Sequence, residues 1–266
     1  NTENPDPEVP DSGEEENPVE EVIFANVVNI YGGNNQGGLC ENTKVYVKDA
    51  EVTNVYGGGD LATTTNTYVK LEKGSTVLEN VYGGGNEATV TENTFVILDK
   101  TYIKKSAYAG GNGTKATVEG NTEIITAGDT LIEHNLFGGG NAAETGLNSK
   151  NTSIAKVSIT GGTIKNNVYG GANTSKIFGY TKLEIGPKIE GYDSSAIHIY
   201  GTVFGGGEAN AAGSEDYDYS YISVTKGIDL NIDAQDTNIT IDGSIFGSGN
   251  ASSTSGYSNI KIYNFG

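Results

Sequence analysis

Val81-Tyr82-Gly83-Gly84-Gly85-Asn86 is the stretch that decides the fold, because the chain keeps returning to it. An aliphatic residue, an aromatic one, a glycine run and a polar residue recur throughout. Before it stand Ile30-Tyr31-Gly32-Gly33 and Val55-Tyr56-Gly57-Gly58-Gly59-Asp60. After it come Ala107-Tyr108-Ala109-Gly110-Gly111-Asn112, Leu136-Phe137-Gly138-Gly139-Gly140-Asn141 and Val168-Tyr169-Gly170-Gly171-Ala172-Asn173. The last copies are Val203-Phe204-Gly205-Gly206-Gly207-Glu208 and Ile245-Phe246-Gly247-Ser248-Gly249-Asn250. The aromatic residues are spaced by 25, 26, 26, 29, 32, 35 and 42 residues. A unit near 26 residues thus widens towards the C-terminus, as insertions into surface loops would make it do. Repeats of this period signal a solenoid, a propeller or an array.

The residues between the copies choose among these. After each glycine run comes an alternation of polar and aliphatic side chains, as in Thr43-Lys44-Val45-Tyr46-Val47, Thr67-Tyr68-Val69-Lys70-Leu71 and Thr94-Phe95-Val96-Ile97-Leu98. Period 2 is the mark of a strand with one buried face. A second short strand is predicted around Val77, Ile103, Ile132, Ile164, Ile199 and Ile241, each five places before an aromatic. A third follows the glycines, as in Thr89-Val90-Thr91. Three short strands in so few residues make one coil of a parallel β-helix, whereas a propeller blade needs about 40 residues. Equivalent residues of adjacent coils then stack about 4.8 Å apart. Three asparagine ladders are expected: Asn86, Asn112, Asn141, Asn173; Asn54, Asn80, Asn135, Asn167; and Asn42, Asn66, Asn93, Asn121. Glycine and asparagine are also expected at corners that need positive φ. The sequence therefore predicts an all-β fold, a single parallel β-helix (β-solenoid) of about eight coils over residues 22–266. Right-handed winding is expected because the coils are long and irregular.

Residues 1–21 read differently. They hold nine acidic residues, no lysine, and Pro5, Pro7, Pro10 and Pro18. Prolines and mutually repelling charges predict a disordered acidic linker. The whole chain carries a net charge of −18 and contains no arginine. That field repels phosphate backbones and anionic lipid, which excludes nucleic acid and argues against membrane partners. No apolar run approaches the roughly 18 residues of a membrane span, so no membrane insertion is expected. A single cysteine, Cys40, cannot form an internal disulfide. The acidic, proline-bearing leader and the Gly/Asn/Thr-rich repeats point to a secreted or cell-surface protein.

The Val-Tyr-Gly-Gly-Gly-Asn repeats followed by Asn-Thr-led strands resemble the parallel β-helix repeat modules of large secreted or wall-attached, adhesin-like proteins of gut Firmicutes. The resemblance covers residues 22–266 and implies a surface stalk that contacts glycans or other host or bacterial ligands. It implies no catalytic residue and no cofactor. The chain ends at Phe265-Gly266 while still in strand pattern. An open solenoid end usually needs a cap, so further modules or another chain are expected there. Self-association through that end or the acidic tail is the corresponding partner expectation.

The ladder of Tyr56, Tyr82, Tyr108, Phe137, Tyr169 and Phe204 is the first candidate ligand site. Pointing outward beside glycines, it would be a flat platform for sugar rings. Pointing inward, it is packing, and the exchange of Tyr for Phe shows that the hydroxyl is dispensable at some copies. The second candidate is the insertion around Tyr217, Tyr219 and Tyr221, since loops carry function. Asp216 and Asp218 there are weak calcium candidates with no matching calcium-loop pattern. Gly191-Tyr192-Asp193-Ser194-Ser195 forms another, plainer insertion. Catalysis has thin support. Glu72 and Asp99 fall at equivalent places in neighbouring coils, where two carboxylates of a glycosidase would need to be about 5–9 Å apart. Each precedes a lysine, which reads as a solvated charge ladder. His134 and His198 lack a placeable Ser or Cys partner. The expected function is adhesion or glycan contact, with a purely structural spacer or filament subunit second and a polysaccharide-cleaving enzyme third.

Overall fold

The computed structural model describes residues 26–208 and 223–264. The acidic linker expected at 1–21 and the Tyr217, Tyr219, Tyr221 insertion, with Asp216 and Asp218, lie outside the described residues. Among those described there is no helix, and every pairing between strands is parallel. The chain is a β-solenoid of about eight turns, as its repeat predicts.

One coil shows how sequence becomes structure. The strand Thr64–Leu71 alternates, with Thr67, Val69 and Leu71 buried and Tyr68 and Lys70 on the outer side. Gly74, at φ +86°, turns the corner, since only glycine adopts that backbone without strain. The two-residue strand Thr76–Val77 follows, then a bend at Leu78 and Glu79, then Val81–Tyr82. The glycine run carries the chain to Asn86, and Val90 closes the turn by bridging back to Thr64.

Stacking these coils gives long columns. Eight long strands, Cys40–Val47, Thr64–Leu71, Thr94–Asp99, Thr122–Ala127, Ser153–Ile159, Gly179–Ile185, Gly227–Asp233 and Tyr257–Tyr263, form one continuous sheet. Its register places Val45, Val69, Val96, Ile124, Val157, Leu183, Leu230 and Ile260 in a single row. Opposite lie the short-strand row Val52, Val77, Ile103, Ile132, Ile164, Ile199, Ile241 and the row Val55, Val81, Ala107, Leu136, Val168, Val203. With the row of Val47, Leu71, Leu98, Ile159, Ile185 and Ile232, these rows make up most of the aliphatic interior, Ile260 at the last strand excepted. Each coil is closed only by its neighbours, so cohesion is shared along the stack.

The interior also hides threonines. Thr43, Thr67, Thr94, Thr122 and Thr181 each donate a hydroxyl across the coil to the first carbonyl of the glycine run, at 2.5–2.7 Å. Such pairing is what makes a buried hydroxyl tolerable. Ala155 takes this place in one coil, beside Ala172 and Ile177.

The three asparagine ladders form, but by two chemistries. Along the glycine runs, each Nδ2 donates to the side-chain oxygen one coil back: Asn86 to Asp60, Asn112 to Asn86, Asn141 to Asn112 and Asn173 to Asn141, at 2.7–2.8 Å. In the second ladder the side-chain oxygen instead accepts the next backbone N–H. Asn54 serves Asn80, Asn80 serves Ser106, Ser106 serves Asn135, Asn135 serves Asn167, and Asn167 serves Thr202. Any short oxygen-bearing side chain can do this, which is why serine and threonine interrupt the asparagines. The third ladder adds Asn66, Asn93 and Asn121, each accepting from the following coil.

Glu208 breaks the first ladder, standing between Asn173 and Asn250. A carboxylate has no proton to donate, and Asn173 Oδ1 is buried without a partner. Burial pushes the Glu208 carboxyl above the usual glutamate range, with the Tyr169 hydroxyl opposing that shift. The folded chain thus holds this proton more tightly than the unfolded chain does. Its stability falls as pH rises through the raised pKa, and the penalty is gone below the unfolded value of about 4.3. Glu208→Asn restores a donor and removes the charge. We expect a gain of about 1 kcal/mol at pH 7, or about 2–4 °C in Tm, that fades towards pH 4. Calorimetry at both pH values checks this; an equal gain at both would absolve the carboxylate.

Candidate binding face

The sequence's own candidate platform is not a free surface. Val55 and its equivalents belong to the aliphatic interior, and alternation turns the following aromatic away from it. Tyr56, Tyr82, Tyr108, Phe137, Tyr169 and Phe204 form a separate cluster outside that interior. Even so, none is more than 8% exposed. Their rings lie nearly parallel, 4.8–5.0 Å apart from Tyr31 to Phe204. Each ring therefore covers the faces of its neighbours. The Tyr169 hydroxyl is met by Asn167 Nδ2 at 3.1 Å. Burial pushes the Tyr56 hydroxyl up to about 12, and those of Tyr82 and Tyr169 up as well. A sugar ring has no face left to stack on, so the expectation of a platform here is corrected. Phe246, in the last copy, is the exception at 51% exposed.

A different aromatic cluster meets solvent, with Tyr68 and Phe95 in one register row and Tyr46 diagonal to them, opposite Lys70. On the outer side of the long sheet, Tyr46, Tyr68 and Phe95 come from three successive strands. Their centroids are 5.6 and 5.7 Å apart, and the rings are tilted by 48° and 50° to each other. Tilted rings cover each other less than parallel ones do. Tyr46 is exposed, while Tyr68 and Phe95 are half-buried. Beside them runs the third asparagine ladder. Asn93 and Asn121 use their oxygens as acceptors, and among the described residues neither Nδ2 has a protein acceptor. Asn93, Thr94, Phe95, Asn121 and Glu123 line a shallow cleft of about 300 Å³.

On the same side of the sheet lies a strap that the sequence presents as a plain insertion. In the row Lys70, Ile97, Ile125, Ser158, the middle two side chains face outward yet are buried. Residues 186–196 fold back over this part of the sheet. Asp193 O accepts from Gly128 N at 2.9 Å, Ser195 Oγ donates to Gly128 O at 2.6 Å, and Lys100 pairs with Asp193 at 2.5 Å. Tyr192 thereby comes within electrostatic reach of Lys70, Asp99, Glu123 and Tyr68.

The charges on this face are largely matched. Lys70 pairs with Glu72, Lys156 with Glu123 at 2.8 Å and Glu184 at 3.8 Å, and Lys182 with Glu184 at 2.8 Å. Compared with known proteins, the chain matches no family model, no curated protein and no solved structure. The reading of this face therefore rests on its geometry.

The remaining candidates are dispersed. The hydrogen bond from Lys70 holds the Glu72 carboxyl below its ordinary range, the opposite of what a proton donor needs. Asp99 keeps a buried Oδ1 without a partner. His134 is exposed, and His198 Nε2 meets Asp242 at 2.9 Å on another face, stacked on Tyr200. Cys40 is a free, half-buried thiol at the start of the first long strand. Among the described residues no group of three or more His, Cys, Asp or Glu side chains could hold a metal ion.

Proposed function

We propose that this protein is a secreted or cell-surface bacterial module that contacts glycans through the outer face of its rigid solenoid. The supporting observation is the tilted, solvent-facing cluster of Tyr46, Tyr68 and Phe95 beside asparagine amides without a protein acceptor among the described residues. Sugars offer apolar C–H faces and hydroxyl edges, and this surface offers a ring for the first and a donor for the second. Parallel strands hold the groups in place, so a ligand would meet a preformed surface with little ordering cost.

Affinity electrophoresis through gels containing soluble polysaccharides tests the proposal. The wild type is expected to be retarded in at least one gel. Tyr68→Ala should weaken that binding about tenfold, or ~1.4 kcal/mol. Tyr200→Ala, on a separate face, should not. Equal retardation of all three proteins would move the site elsewhere.

One observation favours a second reading, a structural spacer or filament subunit. The strand Tyr257–Tyr263 is exposed along its length, with Ile260 and Ile262 open to solvent. Such an edge can template another strand. Electron micrographs showing only dispersed single rods would count against it.

A further inference from the structure

We infer that the ligand of this face is a neutral, β-linked polysaccharide lying along the solenoid axis, with one sugar to each coil. The inference rests on the binding-face reading above and specifies what that face selects.

Charge decides against acidic glycans. Uronate or sulfate groups call for unmatched cations, best supplied as the two-pronged guanidinium of arginine. This chain has no arginine. Lys70, Lys156 and Lys182 are already held by Glu72, Glu123 and Glu184. Of the described lysines on the outer side of the long sheet, Lys44, in register with Tyr68 on the first strand, and Lys261, on the last, have no carboxylate at ion-pair distance. A net charge of −18 adds a field that repels polyanions.

Spacing decides the linkage. Tyr68, Phe95 and Glu123 share one register position on successive strands, in a line set by strand separation of about 4.8 Å, and Tyr46 lies diagonal to it, opposite Lys70. An extended β-linked pyranose chain advances by a similar step per sugar and stays straight. An α-1,4-glucan chain curls and would leave the trough after one or two residues, whereas α-1,4-galacturonan stays extended and is disfavoured by its charge. The 48° and 50° tilts leave part of each ring open to a separate sugar, unlike the buried column. The strands that carry Tyr46, Tyr68, Phe95 and Glu123 are consecutive in the sheet, which gives four subsites, the first of them offset by two residues along its strand. Asn93 and Asn121 supply donors to hydroxyl and ring oxygens. Glu123 gives Oε1 to Lys156, leaving its second oxygen to accept a sugar hydroxyl.

Calorimetric titration of the intact chain tests this with five probes: the hexasaccharides of β-1,4-glucan, β-1,4-mannan, β-1,4-xylan, α-1,4-glucan and α-1,4-galacturonan. At least one β-linked probe is expected to bind at least tenfold tighter than the α-glucan and galacturonan. Shorter oligomers of that probe should gain affinity up to the tetramer and then level off. Phe95→Ala, with wild-type circular dichroism, should lose at least tenfold on the tetramer and less on the dimer. Tighter binding of galacturonan or α-glucan, or affinity independent of length, would overturn the inference while leaving glycan contact standing. Binding of none of the five, with gel retardation by some other polysaccharide, would also overturn it. Binding of no saccharide in either assay would remove the binding-face reading itself.

Discussion

Gly110→Val is expected to abolish cooperative unfolding, while Gly37→Ala shifts stability by no more than about 0.5 kcal/mol. A Cβ on Gly110 would sit 2.6 Å from the Gly140 nitrogen and 2.8 Å from its Cα, both backbone atoms of the next coil. Neither can rotate away, so the coils must part. A Cβ on Gly37 meets nothing within 4 Å. The middle place of the run is glycine in every copy but the last, where Ser248 stands in the exposed final turn. The first and third places each admit one alanine, Ala109 and Ala172, both buried. Separating packed coils exceeds the 1–3 kcal/mol of ordinary overpacking, and with neighbour-dependent cohesion the loss spreads along the stack. Chemical denaturation followed by circular dichroism checks both variants. A Gly110→Val protein with a wild-type midpoint would show that the coils are not this close.

Tyr169→Ala is expected to cost about 3–5 kcal/mol, the range for deleting a large buried aromatic. Its ring is fully buried, with Phe137 at 4.8 Å on one side and Phe204 at 5.0 Å on the other. Removing it deprives both neighbours of a stacking partner. Tyr169→Phe keeps the stack and loses one hydroxyl, for about 1 kcal/mol. The midpoints of the two variants in urea measure the difference. Equal costs would mean that the hydroxyl, not the stack, holds this column.

The architecture was legible because its signals repeat. Val77, Ile103, Ile132, Ile164, Ile199 and Ile241 fall in one row as their spacing predicted, and Asn86, Asn112, Asn141 and Asn173 bond as an amide ladder. The role of the run glycines was less legible. Gly83, Gly84 and Gly85 do not adopt positive φ; they are there because the next coil comes too close for a Cβ. Positive φ falls instead on the residue after the ladder, at Glu87, Gly113, Ala142, Thr174 and Ala251, where composition gives no hint.

The site was least legible, for two physical reasons. Period 2 tells which side of a strand a residue faces, but not what covers that side. Tyr56 to Phe204 face away from the interior and are still buried, because each shields the next. Ile97 and Ile125 face outward and are buried where residues 186–196, far along the chain, fold back through contacts such as Lys100 with Asp193. In register, Lys44 precedes Tyr68 and Phe95, which give way to Glu123 and Lys156, and Tyr46 stands diagonal to Tyr68, too short a run to read as a motif. Two of those aromatics are visible in sequence only as ordinary outward positions of an alternating strand.

Which aromatic column reaches the outside can be measured directly. Tyrosine nitration of the native protein, mapped by mass spectrometry, should modify Tyr46 and Tyr68 early and leave Tyr56, Tyr82, Tyr108 and Tyr169 unmodified until the chain unfolds. A saturating glycan should then protect the first pair. Early nitration along Tyr56 to Tyr169, with Tyr46 and Tyr68 silent or unaffected by ligand, would contradict the account.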